Sequence, residues 1–369
     1  GGFPAEYGDA LSGLMVVEPR EPTALQNELG LSVLYTSLLT SGTFADGRAS
    51  WLVSGRDSNL DRVVADHIGE PAYSDVFVRV GVDLSDKHRL VFADLSFDDD
   101  LFFTPEDGAT DRERAASDTE ARQAWLKLDS DWSERLSSST WLYTTSVESD
   151  RSEDVADLAE LVGRVDDHRE LQASAVKQSW QWAPSDRQLA HFGFEAEQRE
   201  AEYRYSSAAE RLGLLATLVE EPTLSRDIAL TPSGDSYAAY FEDRVRLGER
   251  VVADLGLRWD RQTYLPETDV DDRYSPRFSL LVRLSSRTDL RLSHGRFFQA
   301  EGLLDLQVED GVTEFSRAQR SAHSIVSLEH RFAGAIALRG ELYHKSMSPV
   351  RPRFENLFDF CSRADLRLV

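Results

Sequence analysis

Apolar and polar residues alternate with a period of two along most of this chain. In "ERVVADLGLRWD", Val251, Ala253, Leu255, Leu257 and Trp259 fall on one face, and Arg250, Asp254, Gly256, Arg258 and Asp260 fall on the other. In "DVFVRVGVDL", Val76, Val78, Val80, Val82 and Leu84 oppose Phe77, Arg79, Gly81 and Asp83. "RFSLLVRLS" and "SIVSLEHRF" repeat the pattern, with Phe278, Leu280, Val282 and Leu284 opposing Arg277, Ser279, Arg283 and Ser285, and Val326, Leu328 and Phe332 opposing Ser327, Glu329 and Arg331. Successive strand side chains point to opposite faces, so each segment is a strand with one apolar and one charged side. Tight links at Ser85-Asp86-Lys87, Ala183 to Asp186, Leu247-Gly248-Glu249, Ser285-Ser286-Arg287 and Ala333-Gly334 alternate with long polar links at 56–74, 98–120, 149–168, 198–235, 263–274 and 299–319. The pattern predicts about fourteen strands of roughly 9–14 residues in an antiparallel up-and-down meander, with short turns on one rim and long loops on the other. Short helices are expected at 152–164 and 206–219, inside loops.

Charge on one face and hydrocarbon on the other sharpen this picture. A soluble closed sheet of this size has to solvate its outside and fill its inside, which leaves the apolar face without a home. In lipid that face has one, and closure of the sheet satisfies the edge groups. No apolar run reaches the roughly 18 residues of a membrane helix, which leaves a strand-built barrel open. Trp51, Trp125, Trp141, Trp180, Trp182, Trp259, Tyr143, Tyr240 and Tyr343 lie in or near the ends of strands, as an interfacial aromatic belt or as ordinary sheet packing. The expected fold is therefore all-β, a transmembrane β-barrel.

The formal net charge of −24 across 369 residues argues against nucleic acid as a partner. Much of the acid sits in "DDDLFFTPEDGATDRERAASDTEA", "ESDRSEDVADLAELVGRVDD" and "PETDVDD". The runs at 98–100 and 269–272 resemble calcium ligands in kind but lack the EF-hand spacing, so a solvated acidic surface is the expectation. The single cysteine, Cys361, forms no internal disulfide, and His294, His323, His330 and His344 show no metal spacing. No nucleophile elbow, P-loop or dinucleotide fingerprint is present. No enzyme activity, metal or cofactor is expected.

Several stretches together resemble one family. "GGFPAEYGDALSGLMVVEPREP" resembles the last part of the plug domain of TonB-dependent outer-membrane receptors. "YAAYFEDRVRLGERVVADLGLRWDRQTY", "YSPRFSLLVRLSSRTDLRLSHGRFFQ" and "GELYHKSMSPVRPRFEN" resemble successive barrel strands of that family. The resemblance implies the tail of an N-terminal plug over residues 1–24, followed by an incomplete 22-stranded barrel over 25–369, cut at both ends. It further implies the outer membrane of a Gram-negative bacterium, lipid and lipopolysaccharide around the barrel, and TonB acting through a plug segment that precedes this sequence. The cargo implied is a scarce solute such as a metal chelate, cobalamin, an oligosaccharide or a peptide. A passive porin-like channel and a surface-exposed β-rich binding protein remain alternatives. Candidate plug turn and packing residues are Tyr7, Gly8, Asp9, Ser12 and Gly13. Candidate plug–barrel charges are Glu18, Arg20 and Glu21, facing lumenal charges such as Arg258 or Arg291.

Overall fold

The computed structural model describes residues 3–60, 70–103, 111–157, 160–218, 221–265, 272–332 and 336–348. Its strands in chain order are β1 Gln26–Leu31, β2 Tyr35–Phe44, β3 Ala49–Ser58, β4 Glu70–Ser85, β5 His88–Phe103, β6 Asp111–Ser133, β7 Leu136–Asp157, β8 Leu161–Ser185, β9 Gln188–Arg211, β10 Thr223–Leu230, β11 Ser233–Leu247, β12 Val251–Gln262, β13 Arg273–Ser285, β14 Thr288–Gln299, β15 Gln319–Arg331 and β16 Ala337–Ser348. All join one antiparallel 16-stranded sheet in which each strand neighbours the next in sequence. The exception is β10, which pairs only with the upper part of β9 (Tyr203 to Glu210), while β11 pairs with its lower part (Gln188 to Glu200). The meander is as the alternation predicts, with sixteen strands in place of about fourteen.

Burial is inverted relative to a water-soluble sheet. On β12, Leu255 is 55% exposed and Leu257 48%, whereas Arg258 is 5% exposed and Asp260 7%. Val76, Phe92, Leu142, Phe194, Phe241, Phe278, Val326 and Leu328 are likewise exposed. Lipid gives such a face its environment, and the charged face turns inward around the rest of the chain. That inner face is identified by its contacts. Residues 3–21 touch Arg79 and Arg89 on β4 and β5, Lys177 on β8, Glu242 on β11, Arg258 on β12, Arg277 on β13 and Lys345 on β16. One short segment meets strands that far apart only if the sheet curls around it. No described helix is long and apolar enough to cross a membrane.

The short turns share a chemical device. Ser85, Ser133, Ser185 and Ser285 each accept a hydrogen bond on Oγ from the backbone N–H two residues on, at 3.2, 3.3, 3.3 and 3.2 Å. The donors are Lys87, Arg135, Arg187 and Arg287, so a Ser-x-Lys/Arg triplet recurs at this rim. The hydroxyl supplies the bond that a tight turn otherwise lacks, and strand register slips at each of these turns. The turn carbonyls of Lys87, Arg135 and Arg287 then accept from Asp131, Ala183 and Arg331 on the next hairpin, each at 2.8 Å.

Three sequence expectations change. The links drawn at 98–120, 149–168 and 198–235 are largely strand: β6 to β9 run 22–25 residues. The helices expected at 152–164 and 206–219 give way to the ends of β7, β8 and β9, and only Gly213–Leu218 (α1) is helical. The cause is physical. Above the apolar belt the outer face of the sheet turns polar, and on β8 and β9 the inner face is covered by other parts of the chain, so the lipid-facing alternation ends while ladder hydrogen bonding continues. The predicted aromatic group also divides. Trp51, Trp180, Trp182 and Trp259 share the outward face, whereas Trp125, Trp141, Tyr143, Tyr240 and Tyr343 share the inner face with Lys177. Among the outward rings, His88, Trp132, Trp180 and Phe192 form a run near the short-turn rim, with centroids 5.7, 6.1 and 6.3 Å apart in succession.

Candidate functional site

Residues 3–21 form no strand, yet their backbone is clasped by side chains of the inner sheet face. Arg277 Nη1 donates to the carbonyl of Phe3 at 2.8 Å and also to that of Pro4, and its Nη2 donates to Tyr7 O at 2.7 Å. The same guanidinium stacks between the rings of Phe3 and Phe297, at 4.7 and 4.8 Å. Arg258 Nη1 donates to Glu6 O at 2.7 Å while its Nε donates to Asp260 at 2.8 Å. The Ala5 N–H donates to Glu242 Oε2 at 2.6 Å, and Lys177 Nζ pairs with Glu6 at 2.9 Å beneath the Tyr7 ring. An extended segment without a ladder partner exposes its carbonyls, and planar five-donor guanidinium groups are suited to gather several of them.

The candidate plug residues can be placed one by one. Tyr7 gives its carbonyl to Arg277, and burial together with Glu6 and Glu18 pushes its phenol upward. Gly8 is required by close approach: a Cβ there would stand 2.2 Å from Arg258 Nε. Gly13 has open space around it. Asp9, a non-glycine residue at φ 53°, is exposed as a whole residue, yet its carboxyl accepts from the Ala300 N–H at 2.6 Å, and desolvation there pushes that carboxyl upward. Ser12 Oγ accepts from Lys345 at 2.6 Å.

The candidate charges find partners different from those first considered. Glu21 bonds Arg79 at 2.5 Å and also Arg89, with Ser50 Oγ at 3.3 Å. Arg20 donates to Gln26 at 2.6 Å. Glu18 is exposed. Arg258 meets backbone carbonyls, and Arg291 lines a 330 Å³ recess beside Phe3 and Pro4. Among the described residues, neither arginine forms an ion pair with Glu18 or Glu21. The clasp residues that sequence reasoning missed are Arg277, Lys177, Arg79, Arg89, Glu242 and Lys345. Arg277 lies inside the stretch "YSPRFSLLVRL" and on its polar face, so its facing was legible but its partner was not.

Above the clasp, the 300–318 connection folds inward. Leu303, Leu306, Val308 and Phe315 are buried against Val165 of β8 and Tyr203 and Tyr205 of β9. Tyr203 donates its hydroxyl to Leu303 O and accepts from Leu306 N–H at 3.3 Å. Arg169 donates to the carbonyls of Leu304 and Leu306 at 3.2 and 3.3 Å and pairs with Glu309 at 2.9 Å. Tyr264 donates to Glu301 O at 2.9 Å.

The acid lies elsewhere. Asp98, Glu120, Glu148, Glu170 and Glu202 stand in register across β5 to β9 on the outer face. Glu148 of this row, with Asp150 and His168 beside it, brings one ligand atom from each residue within 4.8 Å of the others, and His168 Nδ1 lies 2.8 Å from Asp150. These are the described residues most able to hold a cation, and they face away from residues 3–21. Of the acidic run at 269–272 only Asp272 is among the described residues, and it accepts from Trp259 Nε1 at 3.1 Å.

A family model described as "TonB dependent receptor-like, beta-barrel" matches residues 50–320. The chain belongs to the TonB-dependent receptor family. Solved structures share its fold at low identity. The ferripyoverdine receptor of the outer membrane of Pseudomonas aeruginosa matches at TM-score 0.60 and 10% identity, over 89% of this chain and 49% of that one. The ferric enterobactin receptor PfeA of the same organism matches at 0.59 and 13%, over 93% and 56%. The RagAB peptide transporter matches at 0.54 and 10%, over 85% and 44%. The TonB-dependent receptor chain thus spans about half the length of these structures. No curated protein matches it.

Proposed function

We propose that this chain is the plug-tail and barrel portion of an outer-membrane importer that takes up a scarce solute, with TonB drawing on the plug. The observation that carries the proposal is the clasp. Residues 3–21 cross the inner face of a lipid-facing sheet and are held by Arg277, Arg258, Lys177, Glu242, Arg79 and Arg89 through contacts that water can replace when the plug moves. A plain pore has no use for such a segment, and among the described residues no bond-making group is assembled around it. In this reading residues 1–24 are the plug tail, the short-turn rim faces the periplasm, and the long strands β6 to β9 project outside. The cargo class extends from metal chelates, which the neighbours named as siderophore receptors take, to peptides, which the RagAB transporter takes. The net charge does not decide among them, because the carboxylate row of β5 to β9 lies on the outer face.

The test is uptake by the receptor in a Gram-negative strain stripped of its own receptors. Ferric catecholate, ferric hydroxamate, cobalamin and a short peptide are supplied in turn, with TonB present and deleted. Uptake that requires TonB is expected. Flux that persists without TonB, with a steady conductance in planar bilayers, would assign the chain to the passive channels instead.

A further inference from the structure

We infer that Asp9 is a latch joining the plug tail to the inward-folded 300–318 connection, so that the two move as one unit. The Asp9 carboxylate accepts from Ala300 N–H at 2.6 Å, across 291 residues of sequence. Ala300 is the first residue after β14, at the base of the inward fold. From there the chain runs to Glu301, whose carbonyl accepts from Tyr264 and whose carboxylate accepts from Ser316 N–H at 2.6 Å, closing the connection on itself. It continues to Leu303 and Leu306, held on β9 by Tyr203, and to Glu309, held on β8 by Arg169. One end of this connection therefore rests on the sheet and the other on the plug tail.

The backbone at Asp9 supports the assignment. A φ of 53° is left-handed and disfavours most residues, while Asp and Asn tolerate it through local polar bonding. The residue that adopts this conformation is the one whose carboxylate meets Ala300. Two residues earlier the Tyr7 carbonyl is fixed by Arg277, and one residue earlier Gly8 presses on Arg258. Displacement of the tail by one residue removes the acceptor from Ala300. The buried Ala300 at the base of the connection then loses its acceptor, and an unpaired buried N–H is costly enough to favour opening. The consequence for passage of cargo rests on the importer reading; the latch itself does not.

Because coupling between two sites is reciprocal, the test runs in both directions. The full chain in detergent micelles, without solute, is followed by amide hydrogen exchange. Asp9→Gly relieves the left-handed strain but removes the acceptor; Asp9→Asn keeps an acceptor oxygen and the backbone preference. Asp9→Gly should speed exchange at 300–306 by about tenfold, the order of one lost charge-assisted bond, while Asp9→Asn changes it by less than about threefold. Conversely, Tyr203→Phe, far from the tail, should speed exchange at residues 5–9. Amides of β12 and β13 should be unaffected in all three variants. Unchanged exchange at 300–306 in Asp9→Gly would overturn the latch, and so would an increase spread evenly over the whole sheet or a Tyr203→Phe effect confined to the connection. No solute enters this experiment, so failure of the importer reading in the uptake assay and failure of the latch are separate results.

Discussion

Strands β6 to β9 and strands β11 to β15 obey the same alternation at membrane level and diverge above it. The first group runs 22–25 residues apart from the short β10 that follows it; the second runs 12–15. The long group continues as a hydrogen-bonded ladder into water, with carboxylates in register on its outer face. Like charges directly opposite one another destabilise a sheet, and here solvent on that face offsets part of the cost. The short group stops and sends the 300–318 connection inward instead. That connection covers Val165, Tyr203 and Tyr205, the inner face of the long group. One side of the sheet thus supplies the tall wall and the other its lining, and neither is complete alone.

The comparison can be broken at several points. The largest effect is expected at Leu306, buried in the lining: Leu306→Ala should cost about 2–5 kcal/mol of local stability and expose 300–318 to limited proteolysis. Within β7, two substitutions should part sharply. Leu142→Arg places a charge in the lipid-facing belt and should cost about 2–4 kcal/mol in denaturant titrations from bilayers, whereas Glu148→Arg, above the belt and within the carboxylate row, should be near neutral. Equal costs would show that lipid does not end between them. In the clasp, Arg277→Ala should loosen residues 3–7 by about 1.5–3 kcal/mol in hydrogen exchange, while Arg291→Ala should stay within about 0.5 kcal/mol.

The smallest effect is titration of the lining. Burial, reinforced by Asp9, pushes the Tyr264 phenol up to about 12 from the usual 10.0. A raised folded-state value means that the neutral phenol is the bound form. Its contribution is therefore full below pH 10 and is lost as pH climbs toward 12. Phenolate absorbance near pH 10 should be the same in Tyr264→Phe as in the parent chain, the variant losing one tyrosine's amplitude only toward pH 12, and the connection should loosen in step with that late titration.

Much of the fold was legible because a half-wet, half-greasy strand leaves a period-two trace. β4, β12, β13 and β15 read directly from Val76 to Leu84, Val251 to Trp259, Phe278 to Leu284 and Val326 to Leu328. The upper halves of β7 and β8 did not, since Asp150 lies between Ser149 and Arg151 and His168 between Asp167 and Arg169, with no apolar residue to mark a face. The site was legible as a segment and not as a set of pairs. Gly8 and Asp9 were marked by the turn chemistry of their residue types, and Arg258 by its place on the polar face. That Arg258 would grip the Glu6 carbonyl while Glu21 went to Arg79 and Arg89 depends on which strands the curl brings together.

By itself the sequence determined that these strands have an apolar outside and a charged inside, that the turns at Ser85, Ser185 and Ser285 are tight, and that a glycine-marked segment precedes the sheet. Those are local matters of side-chain spacing and turn geometry. Only the tertiary structure decided that Asp9 meets Ala300, that Arg277 gathers three carbonyls of the tail, and that 300–318 turns inward onto Tyr203. The reason is that such contacts join residues a hundred or more positions apart, and their partners are chosen by sheet curvature and register, which no local pattern encodes.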